Sequence, residues 1–326
     1  MAYGDPQLLH LDSMLTDISV GFDNPDMFVA QRLFPAVRVA KQSDKYYVYN
    51  RDLWGRVTDD IRAPGSEANE LPPMTLSRDT YFIEEHALED VVPDEEVDNA
   101  DDPLQPSVDA TERVTNTILL NRENAMVAIA TTTGNYASGF TTTLSGTSQW
   151  SDYVNSDPIA DIKTGRAKIH DNLFRDPNVA IMGYQVAVKL EDHPDLIERI
   201  KYSQRGVPTD AIIAEVLGIG NFVRAGAGKV TSAYGATETF GYLWGKHVVL
   251  AFVPERPAKK TPSFGYEFVM PYARAGGNVM PTERWREERR ASDVVRVRRR
   301  FDLKLITVDG TGKQNASGYL ILNAVA

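Results

Sequence analysis

Residues 102–131 read DPLQPSVDATERVTNTILLNRENAMVAIAT, the strongest helical pattern in the 326-residue chain. Asp102 can cap this helix, and Pro103 and Pro106 are tolerated in a first turn whose N–H groups have no intrahelical partner. Nothing breaks the pattern from there to Thr131. Val114, Ile118, Ala125 and Ile129, flanked by Leu119 and Met126, form an apolar stripe at helical spacing. At 1.5 Å per residue, residues 106–131 span roughly 39 Å, which is long for one compact domain and suits a beam crossing a flat subunit.

The charges on either side of this helix are sorted. Residues 84–109 carry eleven acidic side chains and no lysine or arginine. Glu84, Glu89, Asp94, Glu95, Glu96 and Asp98 are the contact candidates among them. Residues 284–304 carry nine bases against four acids, with Arg284, Arg286, Arg289, Arg290, Arg296, Arg298 and Arg300 as matching candidates. Long single-sign stretches usually serve interaction or stay disordered. Valine, leucine and aromatics thread both stretches, which argues for folded surfaces. Within Val294–Arg300, Val295 and Val297 alternate with Arg296, Arg298 and Arg300, so a strand would place these three arginines on one face. They can meet phosphates or acids, or form a solvated strand face. Two oppositely charged surfaces favour copies of the chain binding one another, with a neighbour's acids as the expected partner. Acids ahead of a helix also complement its dipole.

Upstream, residues 1–36 read as an arm of short apolar groups broken by Asp, Gly and Pro, with turn or extended signals at Asn24-Pro25 and Phe34-Pro35. Residues 45–50 are rich in strand-forming aromatics. A polar stretch from Gly55 to Pro73 follows, and a second strand-like run returns from Leu76 to Val92. Strand, long polar tip and strand read as a projecting hairpin of about forty residues; connections of that length are uncommon and usually functional. Its charged contact candidates are Arg56, Asp59, Asp60, Arg62, Glu67 and Glu70.

Downstream, a Thr/Gly/Ser loop (131–148) marks a boundary. Asp157 as cap and Pro158 at the first position announce a second helix. A short buried strand at 178–182, helical pieces at 184–190, 195–200 and 209–217, and strands at 246–253, 264–270, 293–308 and 318–325 complete the chain. Helices and strands mix without a regular βαβ repeat, so the fold class is α+β.

Composition sets bounds on function. Apolar residues make up 42% and charged residues 25%, which is ordinary for globular chains. A net charge of −10 argues against the whole molecule being a nucleic-acid binder. Without cysteine, thiol catalysis, disulfides and cysteine metal sites are excluded. No run reaches a membrane span, and the first twenty residues lack the basic start and apolar core of a signal peptide.

The motif-like stretches carry no intact chemistry. Gly226-Ala-Gly228-Lys229 has valine at 223 and 230, where a phosphate loop needs glycine and Ser or Thr. Gly218-Ile-Gly220 lacks its third glycine for the same reason. Asp98-Asn-Ala-Asp101-Asp102 departs from calcium-loop spacing at Pro103 and Asp109. The five histidines, at 10, 86, 170, 193 and 247, have no metal-ligand spacing, and there is no G-x-S-x-G elbow. No catalytic residue, metal site or cofactor is expected.

The order of parts (arm, projecting hairpin, long helix, mixed lobe, late strands) resembles the major capsid proteins of tailed bacteriophages, the Hong Kong 97 fold. The resemblance extends over nearly the whole chain. It is carried by Asp157-Pro-Ile-Ala-Asp-Ile162, Pro177-Asn-Val-Ala-Ile-Met-Gly183, Lys189-Leu-Glu-Asp-His-Pro194, Trp244-Gly-Lys-His-Val-Val-Leu250 and Ser263-Phe-Gly-Tyr266. It implies an N-terminal arm over 1–36 and an extended loop with flanking strands over 37–92. A peripheral domain with a spine helix would cover 93–154, an axial domain 155–270, and a return to the peripheral domain 271–326. The implied function is mechanical: hexamers and pentamers tile an icosahedral head around double-stranded DNA, assembled in the bacterial host cytoplasm. Implied partners are other copies, a portal, a cement protein in some heads, and a scaffolding protein encoded separately, since the chain opens on the arm. Some members cross-link through a loop lysine; residues 53–73 contain none, so a non-covalent shell is expected. The alternatives are an encapsulin-like compartment shell and, from another class, a basic-patch nucleic-acid-binding protein or an enzyme with a dispersed site.

Overall fold

The computed structural model describes residues 28–49, 57–58, 60–71, 76–100, 105–201, 209–233, 235–257, 261–306 and 315–326. In chain order the strands are β1 (Ala36–Arg38), β2 (Ser43–Tyr49), β3 (Leu76–Phe82), β4 (Glu84–Pro93), β5 (Thr141–Thr143), β6 (Val179–Gly183) and β7 (Asn221–Ala225). They continue with β8 (Gly228–Val230), β9 (Phe240–Tyr242), β10 (Val248–Ala251), β11 (Gly265–Val269), β12 (Thr282–Glu287), β13 (Ser292–Leu305) and β14 (Gly318–Leu322). The helices are α1 (Asp94–Asp98), α2 (Pro106–Thr131), α3 (Pro158–Leu173), α4 (Tyr184–Glu191), α5 (Pro194–Ile200) and α6 (Asp210–Leu217).

Helix α2 is the expected beam, but it begins at Pro106 rather than at Pro103. Gln105 is its N-cap and makes no side-chain cap bond; the expected cap Asp102 lies outside the described residues. Helix α3 starts as read, with Asp157 Oδ1 accepting from the Ala160 N–H at 2.8 Å and proline at the first position.

Two five-stranded sheets carry the fold. In one, β5, β14, β10, β6 and β7 lie side by side. Strands β6 and β10 are buried along their whole length, because both faces are covered. On one face Ala180, Met182, Val248 and Leu250 pack with Ile159, Ile162 and Ile169 of α3. On the other, Val179, Ile181, Val249 and Ala251 pack with Met126, Val127 and Ala130 of α2. Residues 28–34, assigned from sequence to the arm, join that second cluster through Val29, Ala30, Leu33 and Phe34. They are core; the arm residues before them lie outside the described chain.

Close approaches in this sheet require glycine. A Cβ on Gly165 of α3 would stand 2.7 Å from Tyr319 and 2.8 Å from Leu250, and one on Gly183 would overlap the carbonyl oxygen of Gly245. Backbone cannot rotate out of the way as a side chain can. Overpacking ordinarily costs about 1–3 kcal/mol, so Gly183→Ala should destabilise the dissociated subunit by about 3 kcal/mol, read from its urea midpoint.

The second sheet is built on β13. Its residues 292–301 pair with β4, while on the opposite edge residues 292–297 pair with β12 and residues 301–305 with β11. Strand β1 completes it, parallel to β11. Thus β11, placed by sequence inside the 155–270 unit, belongs to this sheet, and β14, placed after 271, belongs to the other. The strand-like run 76–92 also divides. Strand β3 pairs with β2 from Ser43↔Phe82 to Tyr49↔Leu76, which makes the base of the projecting hairpin. After the buried Ile83, β4 crosses to β13.

Candidate functional site

The sorted charges meet on one face of the β4–β13–β12 sheet. The antiparallel registers bring Arg300 opposite Glu85, and Arg296 opposite both Glu89 on one side and Glu283 on the other. Side chains two apart on a strand share a face, so Arg296, Arg298 and Arg300 line up against Glu85, Glu89 and Glu283. Arg296 donates to Glu283 at 3.0 and 2.6 Å and to Glu89 at 3.3 Å. Arg298 bridges Glu85, at 3.3 Å, and Glu283. Arg300 grips one oxygen of Glu85 at 2.9 and 2.7 Å. Three arginines against three glutamates leave this strip neutral.

Aromatic faces complete the ladder. The Arg296 guanidinium lies over Trp285 at 4.7 Å, and those of Arg298 and Arg300 lie over Tyr272 at 4.8 and 4.2 Å. Planar guanidinium stacks well on rings while its edge donates to carboxylates. Burial would raise the Glu85 carboxyl, but the hydrogen bonds and charges of Arg300 and Arg298 hold it below its ordinary value.

Flanking pairs extend the pattern within the chain. Arg286 makes a two-toothed contact with Asp94, Arg284 meets Asp293 at 2.5 Å, and Arg113 of α2 reaches Asp90 at 2.5 Å. Arg290 stands 3.6 Å from Glu287. The acids opposite these arginines were expected from a neighbouring copy; they come from the same chain. The remaining candidates are placed differently. Asp60, Arg62, Glu67, Glu70, Glu84, Glu95, Glu96, Asp98 and Arg289 are exposed and have no ion-pair partner among the described residues. Arg56 and Asp59 lie outside the described residues.

The other face of β13 buries Val295 and Val297 and holds a group that sequence reasoning missed. Glu267 of β11, with no exposed surface, accepts from Arg122 of α2 at 2.9 and 2.7 Å and from Arg299 at 3.1 Å. Burial pushes this carboxyl up, but the charges of Arg122 and Arg299 outweigh it and hold it below 4.5. Next to Arg122, the buried Glu123 accepts from the backbone N–H of Val29 and Ala30 at 3.1 and 3.0 Å, and from the Trp244 indole at 3.1 Å. Here burial prevails over those bonds and raises the carboxyl. The only sequence signal for either group was an Arg-Glu pair interrupting the apolar stripe of α2.

One constellation has the residue types of a hydrolase and the wrong polarity. The buried His193 faces Ser156 Oγ through Nε2 at 3.1 Å and Asp195 Oδ2 through Nδ1 at 3.6 Å. Yet Nδ1 accepts the Asp195 backbone N–H, and Ser156 Oγ donates to the Asp152 carbonyl at 2.7 Å. Nε2 must therefore donate to the serine, which cannot lose its proton to that nitrogen. The histidine is a helix cap for α5. Among the described residues no group of three or more His, Asp or Glu is placed to hold a metal. No described helix is long and apolar enough to cross a membrane. The Gly226–Lys229 stretch is the turn from β7 into β8, and Gly218 is the left-handed cap of α6.

No family model matches the chain. It is 30% identical over 261 residues to the major capsid protein of Burkholderia phage BcepMu, covering 78% of this chain and 82% of that one. The crystal structure of a phage-related protein from Bordetella bronchiseptica RB50 matches with a TM-score of 0.70 and 25% identity, over 97% of this chain and 98% of that one. The capsid of cyanophage P-SCSP1u shares the fold at a TM-score of 0.56 and 13% identity, over 89% and 86% of the two chains. A long helix, a hairpin and two five-stranded sheets, with no organised catalytic group among the described residues, agree with these likenesses. The chain belongs to the family of phage major capsid proteins of Hong Kong 97 type, non-enzymatic components of the phage head.

Proposed function

We propose that the chain tiles an icosahedral head as hexamers and pentamers, held without covalent cross-links, around packaged double-stranded DNA. A separate scaffolding protein, a portal and, in heads that use one, a cement protein are its proposed partners. The observation that carries this reading is the hairpin tip: Val57, Ile61 and Leu71 are 102%, 81% and 74% exposed. Apolar side chains on a projecting loop gain cover from an adjacent subunit. The charges on the same loop, Asp60, Arg62, Glu67 and Glu70, and the open acids Glu84, Glu95, Glu96 and Asp98 are proposed contacts between copies, with Arg289 among the bases they meet. Exposed pairs of this kind contribute only ~0–1 kcal/mol each, so misplaced subunits can detach before closure.

A head-to-tail contact closes into rings when its rotation is a fifth or a sixth of a turn. Expressed with its scaffolding protein and viewed in negative stain, the chain should form closed particles or rings of five and six. A chain that stays monomeric at high concentration with scaffold present would overturn the proposal. Particles filled with a cargo enzyme would instead support the compartment-shell reading. The neutral arginine ladder speaks against a DNA-binding role for Arg296, Arg298 and Arg300.

A further inference from the structure

Strands β8 and β9 form a two-stranded ribbon that no third described strand joins. Such ribbons are at best marginally stable in water unless a face is covered. The register sets Gly228 against Tyr242 and Val230 against Phe240, so Val230, Phe240 and Tyr242 stand on one face. They are 53%, 75% and 40% exposed. Tyr184, at the start of α4 and 43% exposed, stacks on Tyr242 with ring centroids 5.6 Å apart. The glycine opposite Tyr242 gives the ring no cross-strand neighbour.

The opposite face is held in place. Lys229 Nζ donates to Asn124 Oδ1 on α2 at 2.8 Å, and Thr231 and Thr239 join their hydroxyls across the ribbon at 2.9 Å. One face is thus fixed to the longest helix, and the other presents a strip of Val230, Phe240, Tyr242 and Tyr184, none of them charged. Aromatic residues of this kind, held by a rigid support, are the usual anchors of protein interfaces.

We propose that this strip is a contact between copies, with the ribbon packing its aromatic face on a second copy of the chain. The inference rests on the shell reading: in a shell each subunit is covered by further copies, and Val230, Phe240, Tyr242 and Tyr184 offer no cation with which to hold phosphate. Phe240→Ser and Tyr242→Ser, separately and together in the full chain, test it. Phe240 is 75% exposed, so the dissociated Phe240→Ser variant should melt as the unaltered chain does, while Tyr242→Ser also loses its stack on Tyr184 and should melt slightly lower. The concentration at half-assembly, read by light scattering, should rise about tenfold or more. Phe240→Thr keeps strand preference and should move assembly the same way. Unchanged assembly of the double variant beside an unaltered chain that assembles would overturn the contact alone. Intact assembly with lost DNA binding would assign the strip to base stacking and overturn it too. An unaltered chain that never assembles would remove the shell reading and this contact with it.

Discussion

Glu267→Ala should lower the stability of the dissociated subunit by roughly 3–5 kcal/mol, the range seen when one partner of a buried ion pair is removed. The carboxylate is wholly buried and receives three hydrogen bonds from two guanidiniums. Removing it leaves the Arg122 and Arg299 side chains, 5% and 12% exposed, facing a cavity where their anion stood. The same group ties α2, β11 and β13 together, so the loss is not confined to one element. Against a total stability of about 5–15 kcal/mol, a loss of that size removes between about a fifth and all of it. Urea unfolding of the subunit measures the effect, and a change under about 1 kcal/mol would contradict it. The pH dependence follows from the depressed carboxyl. A group with a lowered folded value binds fewer protons when folded, so its contribution is fully present above about pH 4.5 and is lost as pH falls toward the folded value. The unaltered subunit should therefore lose more stability below pH 4.5 than the Glu267→Ala variant does.

Reversing Arg296, Arg298 and Arg300 together to glutamate should have a larger effect still, on the order of 5 kcal/mol or more, since each like-charge contact adds to each lost pair. The three arginine side chains are only 24%, 23% and 30% exposed, and Glu283 is 5% exposed. Six carboxylates would then share one strip over Trp285 and Tyr272. The subunit should fail to fold, as judged by circular dichroism before any assembly step. Adding Glu85→Arg, Glu89→Arg and Glu283→Arg should restore most of the lost stability, because the exchange returns opposite charges to the same strands. Had the arginines gripped a neighbour, the triple variant would fold and not assemble. Had they faced DNA, it would assemble and package poorly.

This in-chain closure explains why the charges are sorted in the sequence at all. Antiparallel pairing sets residues 84–93 against residues 292–301, so acids on one strand and bases on the next become neighbours about two hundred residues apart. The alternation of Val295 and Val297 with arginine disclosed the strand and its faces. Nothing local disclosed the partner strand, because pairing between distant segments leaves no mark in either one. Strand β12 escaped notice for a different reason. Thr282-Glu-Arg-Trp-Arg-Glu287 has few β-branched residues, and its pairing to β13 supplies what its own preference lacks.

The long helix and the hairpin were legible because each obeys a periodicity or a turn signal over many residues. Their ends were less so. Gln105 caps α2 without a side-chain bond, which no sequence rule would choose. Residues 28–34 read as part of a loose arm because Asp, Gly and Pro surround them, yet Leu33 and Phe34 have no exposed surface. The same segment is tied to α2 by Glu123, a carboxylate inside the helical stripe that accepts the Val29 and Ala30 N–H groups, a pairing visible only once the two segments meet. Among the predicted contact residues, the charges split by geometry: the arginines of β12 and β13 close on acids of β4, β12, β13 and on Asp94, whereas Glu84, the described loop-tip charges, the later acids of α1 and Arg289 stay open.

A reconstruction of the assembled shell at side-chain resolution would show whether the arginines of β13 close within their own chain or across to a neighbour. Around the Arg298 guanidinium, Glu85 and Glu283 of the same chain should stand, each within about 4 Å, the ordinary reach of an ion pair. Carboxylates of a neighbouring copy in those two places would contradict closure within the chain.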